Sequence, residues 1–375
     1  VGREKLRVLV VDDSALMRKH LRELLTETGD FEVSVARDGA DALALIKTVD
    51  PHVITLDINM PEMDGLTCLS RIMTEHPRPV VMVSSLTEKG AEVTYEALAL
   101  GAVDYFPKPD GTISLSLRNC SEQIVAKVRA AAGARVTRAR GLRDRLRSET
   151  VRVGESERVK ARNTTVISSA NRLEMGLVLI GVSTGGPRVL EDILPVLPAD
   201  FPWAVLIAQH MPANFTGTFS RRLDAICQMR VEEVSQRSPL EPGCCYIGRG
   251  DTDLVVVKRG TDLLAATVPA DPARIWHPSV ARMVESALTM VPPERLVGVM
   301  LTGMGNDGAE AMTELHRNGG RTIAEAESTA VVFGMPGELI KHGGAGVVLP
   351  SHQIARKLVD WLPPLGAARF ARRGA

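Results

Sequence analysis

Short, largely apolar runs punctuate the chain: Val8–Val11, Val53–Leu56 and Val80–Val83 early, then Leu177–Ile180, Ala204–Ala208 and Val297–Leu301. None shows the polar alternation of a half-exposed strand. Continuous runs of this length, rich in Val, Ile and Leu, belong to strands buried on both faces of a parallel sheet. Between them lie longer stretches of helical character: Ala15–Leu25, Ala40–Lys47 and Gly65–Glu75 in the first part, Arg188–Leu197 and Ala309–Asn318 in the second. Buried strands alternating with helices predict α/β architecture on both sides of the chain. Leu254–Arg259 and Leu263–Thr267, joined through Gly260, predict a hairpin.

A chain of 375 residues accommodates two or three domains at roughly 100–200 residues each. One segment stands apart from the apolar pattern. Between Gly133 and Asn171 there are ten basic residues, four acidic ones and no Phe, Trp or Tyr, for a net charge of +6. Such a stretch cannot bury enough apolar surface to offset the entropy of ordering it. It reads as a solvated linker, with helix expected only near Leu142–Leu146, and serves as a plain tether or as a docking strip for an acidic partner. The whole chain carries 45 basic and 45 acidic residues, which argues against a chain-wide nucleic-acid binder. An aromatic content of 3% disfavours a stacking platform for single strands. No apolar run approaches the ~18 residues of a membrane span, and the charges within Val1–Leu9 do not suit a signal peptide. The expected location is the cytoplasm, with no membrane insertion. Cys68, Cys120, Cys227, Cys244 and Cys245 form no Cys-x-x-Cys pair, so free thiols are expected, with neither a disulfide framework nor a zinc site.

In open α/β sheets, functional groups gather at the carboxyl ends of the strands, so the residues following each run matter most. Asp12 and Asp13 follow the first run, Asp57 the second and Ser84 the third; Tyr105 and Phe106 lead to Lys108. Clustered carboxylates repel one another unless a hard cation such as Mg²⁺ sits among them. A carboxylate beside Mg²⁺ and a lysine can be phosphorylated, because both cations offset charge on the phosphoryl oxygens. Single acids often serve as helix caps, but the full set at successive strand ends is poorly explained that way. VVDDS, the Asp57 after VITL, MPEMDG, VSS and KP resemble the receiver domain of bacterial two-component response regulators, over about Leu6 to Ile124. The resemblance implies Asp57 as phosphoacceptor, Asp12 and Asp13 as Mg²⁺ ligands with Asp57, Ser84 as switch hydroxyl, Tyr105 as switch aromatic and Lys108 as phosphate partner. It also implies a histidine kinase as phosphodonor.

On the other side, Leu177–Ile180 runs into Gly181-Val182-Ser183-Thr184-Gly185-Gly186. A Gly-x-Ser-x-Gly turn between strand and helix exposes a serine hydroxyl, and the helix N-terminus behind it offers N–H groups to an oxyanion. The same glycines would equally suit a phosphate-binding loop. Gln209 and His210 follow the next run, and the loop Thr302–Gly308 with Asp307 follows Val297–Leu301. Ser183, His210 and Asp307 thus each follow a separate strand, as nucleophile, base and orienting carboxylate. The order Ser–His–Asp is not that of α/β-hydrolases. His277, in Trp276-His277-Pro278-Ser279, is a rival base with no preceding strand to hold it. Ser168, Ser169 and Ser279 lack the elbow pattern. His316 and His342 read as surface residues. Met304 and Met335 read as packing, although the Met304 N–H lies beside the site.

IGVSTGG, AQHMPANFT, LTGMGNDG and VVFGMPG resemble the catalytic domain of the chemotaxis protein-glutamate methylesterases, over about Asn171 to Pro364. VSSLTEKG in the receiver is also characteristic of that family, whose members join a receiver to such a domain through a variable linker. The resemblance implies a doubly wound, flavodoxin-like receiver at 6–124, the basic linker at 133–170 and a doubly wound, mostly parallel α/β catalytic domain at 171–366. It implies Ser183 as nucleophile, His210 as general base, Asp307 as its partner, Thr184 and Met304 at the oxyanion, and no cofactor for ester hydrolysis. The implied substrates are glutamate γ-methyl esters, and glutamines, on methyl-accepting chemoreceptors. Phosphorylation of Asp57 would relieve restraint by the receiver. The family often shows Arg before Pro-Ser, Asp after Ser-Val and His after the hairpin's Gly-Asp; here those places hold His277, Ala281 and Asp253. Two other classes compete: a phosphorylation-switched, non-catalytic binding module, and a DNA-binding regulator using the basic linker. The second is weak, because no helix-turn-helix pattern follows the receiver.

Overall fold

The computed structural model describes residues 4–85, 87–108, 113–136 and 175–362. The expected linker beyond Val136, Ser168, Ser169, Asn171, the chain after Leu362 and the Cys120 side chain lie outside the described residues. The chain separates into two compact units, Val1–Arg147 and Ser148–Ala375, each described by itself.

In the first unit, strands β1 (Leu6–Val11), β2 (Phe31–Ala36), β3 (Val53–Asp57), β4 (Val80–Ser84) and β5 (Asp104–Pro107) alternate with helices α1 (Ala15–Glu27), α2 (Gly39–Val49), α3 (Gly65–Glu75), α4 (Glu88–Leu100) and α5 (Ile113–Ala132). The sheet order is β2-β1-β3-β4-β5, with every pairing parallel. This is the flavodoxin-like order. β3 and β4 are buried along their whole length, which is why their sequences run apolar without alternation. The helices begin where short polar side chains satisfy free N–H groups. Ser14 accepts from Met17 N, Asp38 from Asp41 N, Asp64 from Thr67 N and Thr87 from Gly90 N. In α1, Met17, Leu21 and Leu25 recur at intervals of four and are buried. β2 and α4 escape the sequence reading. β2 is an edge strand with only its end residues buried, and its FEVSVA sequence never forms a continuous run.

The second unit contains β6 (Leu177–Val182), α6 (Gly186–Ile193), β7 (Ala204–Gln209), α7 (Ala213–Ile226), β8 (Arg230–Val234), β9 (Ser238–Pro239), β10 (Cys244–Gly248), β11 (Thr252–Arg259), β12 (Asp262–Pro269), α8 (Val280–Met290), β13 (Leu296–Met300), α9 (Ala309–Arg317), β14 (Arg321–Glu325), α10 (Met335–Lys341), β15 (Val347–Leu349) and α11 (Ser351–Trp361). Seven strands form one sheet in the order β15-β14-β13-β6-β7-β10-β8, all parallel. The expected hairpin is present: β11 and β12 pair antiparallel around Gly260 and form a separate sheet with β9. β6, β7, β10 and β13 are wholly buried. The less buried β8 and β15 lie at the sheet edges, and their short or charged sequences hide them from a search for apolar runs. Cys68, Cys227, Cys244 and Cys245 are free, buried thiols.

The centre of the second sheet is where packing is least forgiving. Leu206 is fully buried and stands between Leu179 on β6 and Tyr246 on β10. Leu206→Ala is expected to lower the stability of this unit by about 2–5 kcal/mol through the cavity it leaves. Urea denaturation checks this, and a change well under 1 kcal/mol would mean that the site collapses around the smaller side chain.

Candidate active site

β6, β7 and β13 are neighbours in the sheet, so the residues just beyond their carboxyl ends are brought together. Val182 pairs with Gln209, and His210 N donates to Val182 O at 3.1 Å, which sets Ser183 and His210 on adjacent strand ends. On the other side Ser183 N donates to Thr302 O at 3.0 Å. His210 Nε2 lies 2.9 Å from Asp307 Oδ2. Burial pushes the Asp307 carboxyl up, but His210 and the Val280 and Ala281 N–H groups outweigh it and hold it below the usual carboxylate range. Its charge is gripped by the N-terminus of α8: Ser279 Oγ donates to Oδ1 at 3.1 Å, Val280 N to Oδ2 at 2.7 Å and Ala281 N to Oδ1 at 3.1 Å. A helix N-terminus favours an anion there. Because Asp307 is an ionised acceptor, it selects the tautomer with the proton on Nε2 and leaves Nδ1 as the basic nitrogen. Nδ1 is buried and has no hydrogen-bond partner among the described residues. The Ser183 Oγ–His210 bond is therefore not closed here, a common looseness in sites without substrate.

The serine sits on a strand–turn–helix elbow. Gly185 holds φ at +79° before α6 starts, a conformation glycine adopts without steric cost. Gly303 lets the loop after β13 press against Ser183: a Cβ there would lie 2.8 Å from Ser183 Cβ and 2.4 Å from Met335 Sδ. The buried Gln209 amide donates to Ser183 O and His210 O at 3.0 and 3.2 Å, tying the two strand ends together. Thr302 Oγ1 donates to Thr184 O at 2.9 Å and accepts from Val332 N at 3.0 Å. Thr302 N donates at 2.8 Å to Glu325 Oε2, at the end of β14, and Thr329 Oγ1 donates to its other oxygen at 2.9 Å. Thr184 and Met304 are buried beside Ser183 and in the adjoining loop. Met335 is fully buried.

The rival base is committed elsewhere. His277 Nδ1 meets Asp253 Oδ1 at 2.8 Å and Nε2 meets Arg274 O at 3.1 Å. A side-chain partner on β11, and not a preceding strand, holds this residue. Ser279 has a role that the absence of an elbow did not foretell, as both N-cap of α8 and ligand to Asp307. Trp276, which the motifs did not single out, stacks on His210 with ring centroids 5.6 Å apart and planes 13° apart. In a chain with three tryptophans, one placed beside His-Pro was the available signal. Glu325 was reachable by the strand-end rule, but RTIAE is too polar a run to mark its strand.

In the first unit, ligand oxygens of Asp12, Asp13 and Asp57 all lie within 4.8 Å of one another. Asp12 and Asp57 are fully buried. Lys108 Nζ is 2.6 Å from Asp57 Oδ2 and 3.3 Å from Asp12 Oδ2. Burial, with help from the Asp12 charge and against Lys108, pushes the Asp57 carboxyl up to about 6. Burial also raises Asp12, whose Oδ2 has the Lys108 ion pair but no hydrogen bond among the described residues. Three crowded carboxylate oxygens with a single nearby ammonium among the described residues fit a hard divalent cation. Ser84 Oγ is turned toward α4, 2.7 Å from Thr94 Oγ1 and 3.2 Å from Gly90 O. Tyr105 is buried, with Lys127 Nζ 5.3 Å from its ring centroid.

Comparison with known proteins adds identity to this geometry. Residues 178–358 match the CheB methylesterase family model and residues 8–117 the response regulator receiver domain. A protein-glutamate methylesterase/protein-glutamine glutaminase of Rhodospirillum rubrum is 58% identical over 356 residues, covering 95% of this chain and 96% of the relative. One from Rhodopseudomonas palustris is 54% identical over 358 residues, covering 95% and 98%. Among solved structures, the Thermotoga maritima CheB methylesterase catalytic domain is 36% identical, covering 50% of this chain and 99% of its own, with a TM-score of 0.49.

Glu325 offers a test of the elbow's support. It is fully buried, and burial raises its carboxyl above the ordinary value despite the Thr302 and Thr329 bonds. The folded state thus holds the proton more tightly than the unfolded one, and stability falls as pH rises through the folded value. Glu325→Gln is expected to gain thermal stability over the parent as pH goes from 5 to 8, where ~1 kcal/mol corresponds to about 2–4 °C. A difference in melting temperature that does not change with pH would contradict this.

Proposed function

The chain belongs to the protein-glutamate methylesterase/protein-glutamine glutaminase family, and we propose that it hydrolyses glutamate γ-methyl esters on methyl-accepting chemoreceptors with Ser183 as nucleophile. The observation that carries this reading is the ionised Asp307 holding His210 by Nε2, with Nδ1 left as a base beside the serine elbow. A non-catalytic binding module has no use for an oriented histidine with a free basic nitrogen.

His210 Nδ1 takes the Ser183 proton as Oγ attacks the ester carbonyl, a step that needs the serine side chain to close onto the imidazole. Asp307 keeps the ring oriented and stabilises the imidazolium. Backbone N–H groups of Thr184 and Met304 receive the oxyanion, where preorganised donors act most strongly. The imidazolium returns its proton to the departing methoxide, so methanol leaves and a glutamyl ester of Ser183 remains. Water, deprotonated by Nδ1, then releases glutamate and restores the serine. For a glutamine, ammonia leaves in the first step. No cofactor enters this reaction.

In the same reading, the first unit (about 6–124) regulates the second (about 171–366) across the basic linker at 133–170. A chemotaxis histidine kinase phosphorylates Asp57, and the protein works in the cytoplasm. No helix among the described residues is long and apolar enough to cross a membrane. Asp12, Asp13 and Asp57 would hold Mg²⁺, which offsets charge on the transferred phosphoryl group. Lys108 adds a second cation to the same oxygens. Ser84 exchanges its contacts on α4 for the phosphoryl group, with Tyr105 as the coupled aromatic.

Ser183→Ala is expected to abolish methanol release from methylated receptor membranes, and a serine-reactive phosphonate should label the parent at Ser183 alone. Turnover retained in that variant would remove Ser183 as nucleophile. Deleting the chain before about Asn171 is expected to raise basal activity, because release of such restraint is ordinarily worth ~1–3 kcal/mol. A truncated form no faster than the intact, unphosphorylated protein would rule out restraint by the receiver.

A further inference from the structure

One short segment touches both partners of Ser183. Between Arg274 and Ala281, Trp276 stacks on His210. The carbonyl of His277 accepts from Met211 N, the residue after His210, at 3.4 Å. Ser279 Oγ and the Val280 and Ala281 N–H groups grip Asp307. This segment is in turn held by a carboxylate that the reaction does not use. Asp253 is fully buried on β11. Its Oδ1 accepts from His277 Nδ1 and Ser279 N, both at 2.8 Å; its Oδ2 accepts from Arg282 Nη1 at 2.9 Å and Asp271 N at 3.1 Å.

Both ring nitrogens of His277 are engaged. Nδ1 faces the Asp253 carboxylate and Nε2 faces the Arg274 carbonyl, so the ring ties the start of the segment to β11. Burial pushes the Asp253 carboxyl up, but His277, the Ser279 N–H, Arg282 and the Asp271 N–H outweigh it and keep it ionised. The other charges around the pair are Arg282 and Glu285 on α8, Arg274 on the segment and Asp271 just before it. Arg274 is engaged by Glu285 and Asp271, so Arg282 is the competing cation on Asp253.

We propose that Asp253 and His277 are a positioning pair for ester hydrolysis, clamping the 274–281 segment so that Trp276 and the start of α8 hold His210 and Asp307 in register. Both act through the segment's contacts with His210 and Asp307. The inference rests on the assignment of Ser183, His210 and Asp307 above.

The test measures methanol release from methylated receptor membranes by the full chain, with kcat expressed per phosphonate-titrated active site. Asp253→Asn and His277→Leu should each lower kcat about tenfold with KM within twofold. His277→Arg, which restores a donor toward Asp253, should recover kcat to within twofold of the parent. If Asp253→Asn fails to fold, the His277 variants decide. A His277→Leu variant with parental kcat per active site overturns the proposal, even if fewer of its sites are active. So does a His277→Arg variant no faster than His277→Leu. Ser183→Ala separates the two readings: turnover in that variant refutes the triad itself, whereas an inactive Ser183→Ala beside unaffected His277 variants refutes only the positioning pair.

Discussion

The pairing of β6 with β13 governs the catalytic edge. Leu177–Gly181 runs parallel to Leu296–Met300, and the ladder continues past both strands as Leu301 N donates to Gly181 O and Ser183 N to Thr302 O. That extension fixes Ser183 against the loop that supplies Asp307. It also lies where the strand order reverses: from β6 the chain proceeds to β7 on one side, while β13, β14 and β15 fill the other. Connections leave such a point toward opposite faces and open a crevice above the strand ends. In the first unit the reversal lies between β1 and β3, and Asp12, Asp13 and Asp57 collect there. Two different chemistries thus occupy the same topological position.

The two sites treat buried carboxylates in opposite ways. Asp12 and Asp57 are desolvated together, with Lys108 bridging them, and both carboxyls rise. The cost of that crowding makes the cluster receptive to further positive charge. Asp307 and Asp253 are also desolvated, but each collects several N–H donors and an imidazole, and both fall. Hydrogen bonds to the charged form outweigh burial there. A receptive acid cluster suits phosphoryl transfer, and a satisfied acid held in its charged form suits the steady orientation of a histidine.

The sequence showed the central strands because burial on both faces leaves a local mark, an apolar run without alternation. Val53–Leu56, Val80–Val83 and Ala204–Ala208 all fall within observed strands. Edge strands carry no such mark: β2 mixes apolar with polar residues, β8 has three charged residues in five, and β15 is three residues long. At the site, Ser183, His210 and Asp307 drew attention because each lies in the turn or loop that follows a run. Asp253, Trp276, Ser279 and Glu325 did not, because each acts through a partner that only packing supplies. Asp253 meets His277 across 24 positions and Ser279 meets Asp307 across 28. No spacing rule links residues on a hairpin, a helix cap and a strand loop.

By itself, then, the sequence determined which segments are buried strands and which reactive groups stand at their carboxyl ends. These are local properties, written in periodicity and in the residues next to each run. Only the tertiary structure decided what each histidine ring meets and what holds Asp307. His210 and His277 each meet an aspartate, but His277 also meets the Arg274 carbonyl, whereas His210 Nδ1 has no hydrogen-bond partner among the described residues. That difference arises from what packs around each ring, and packing joins residues that the sequence keeps far apart.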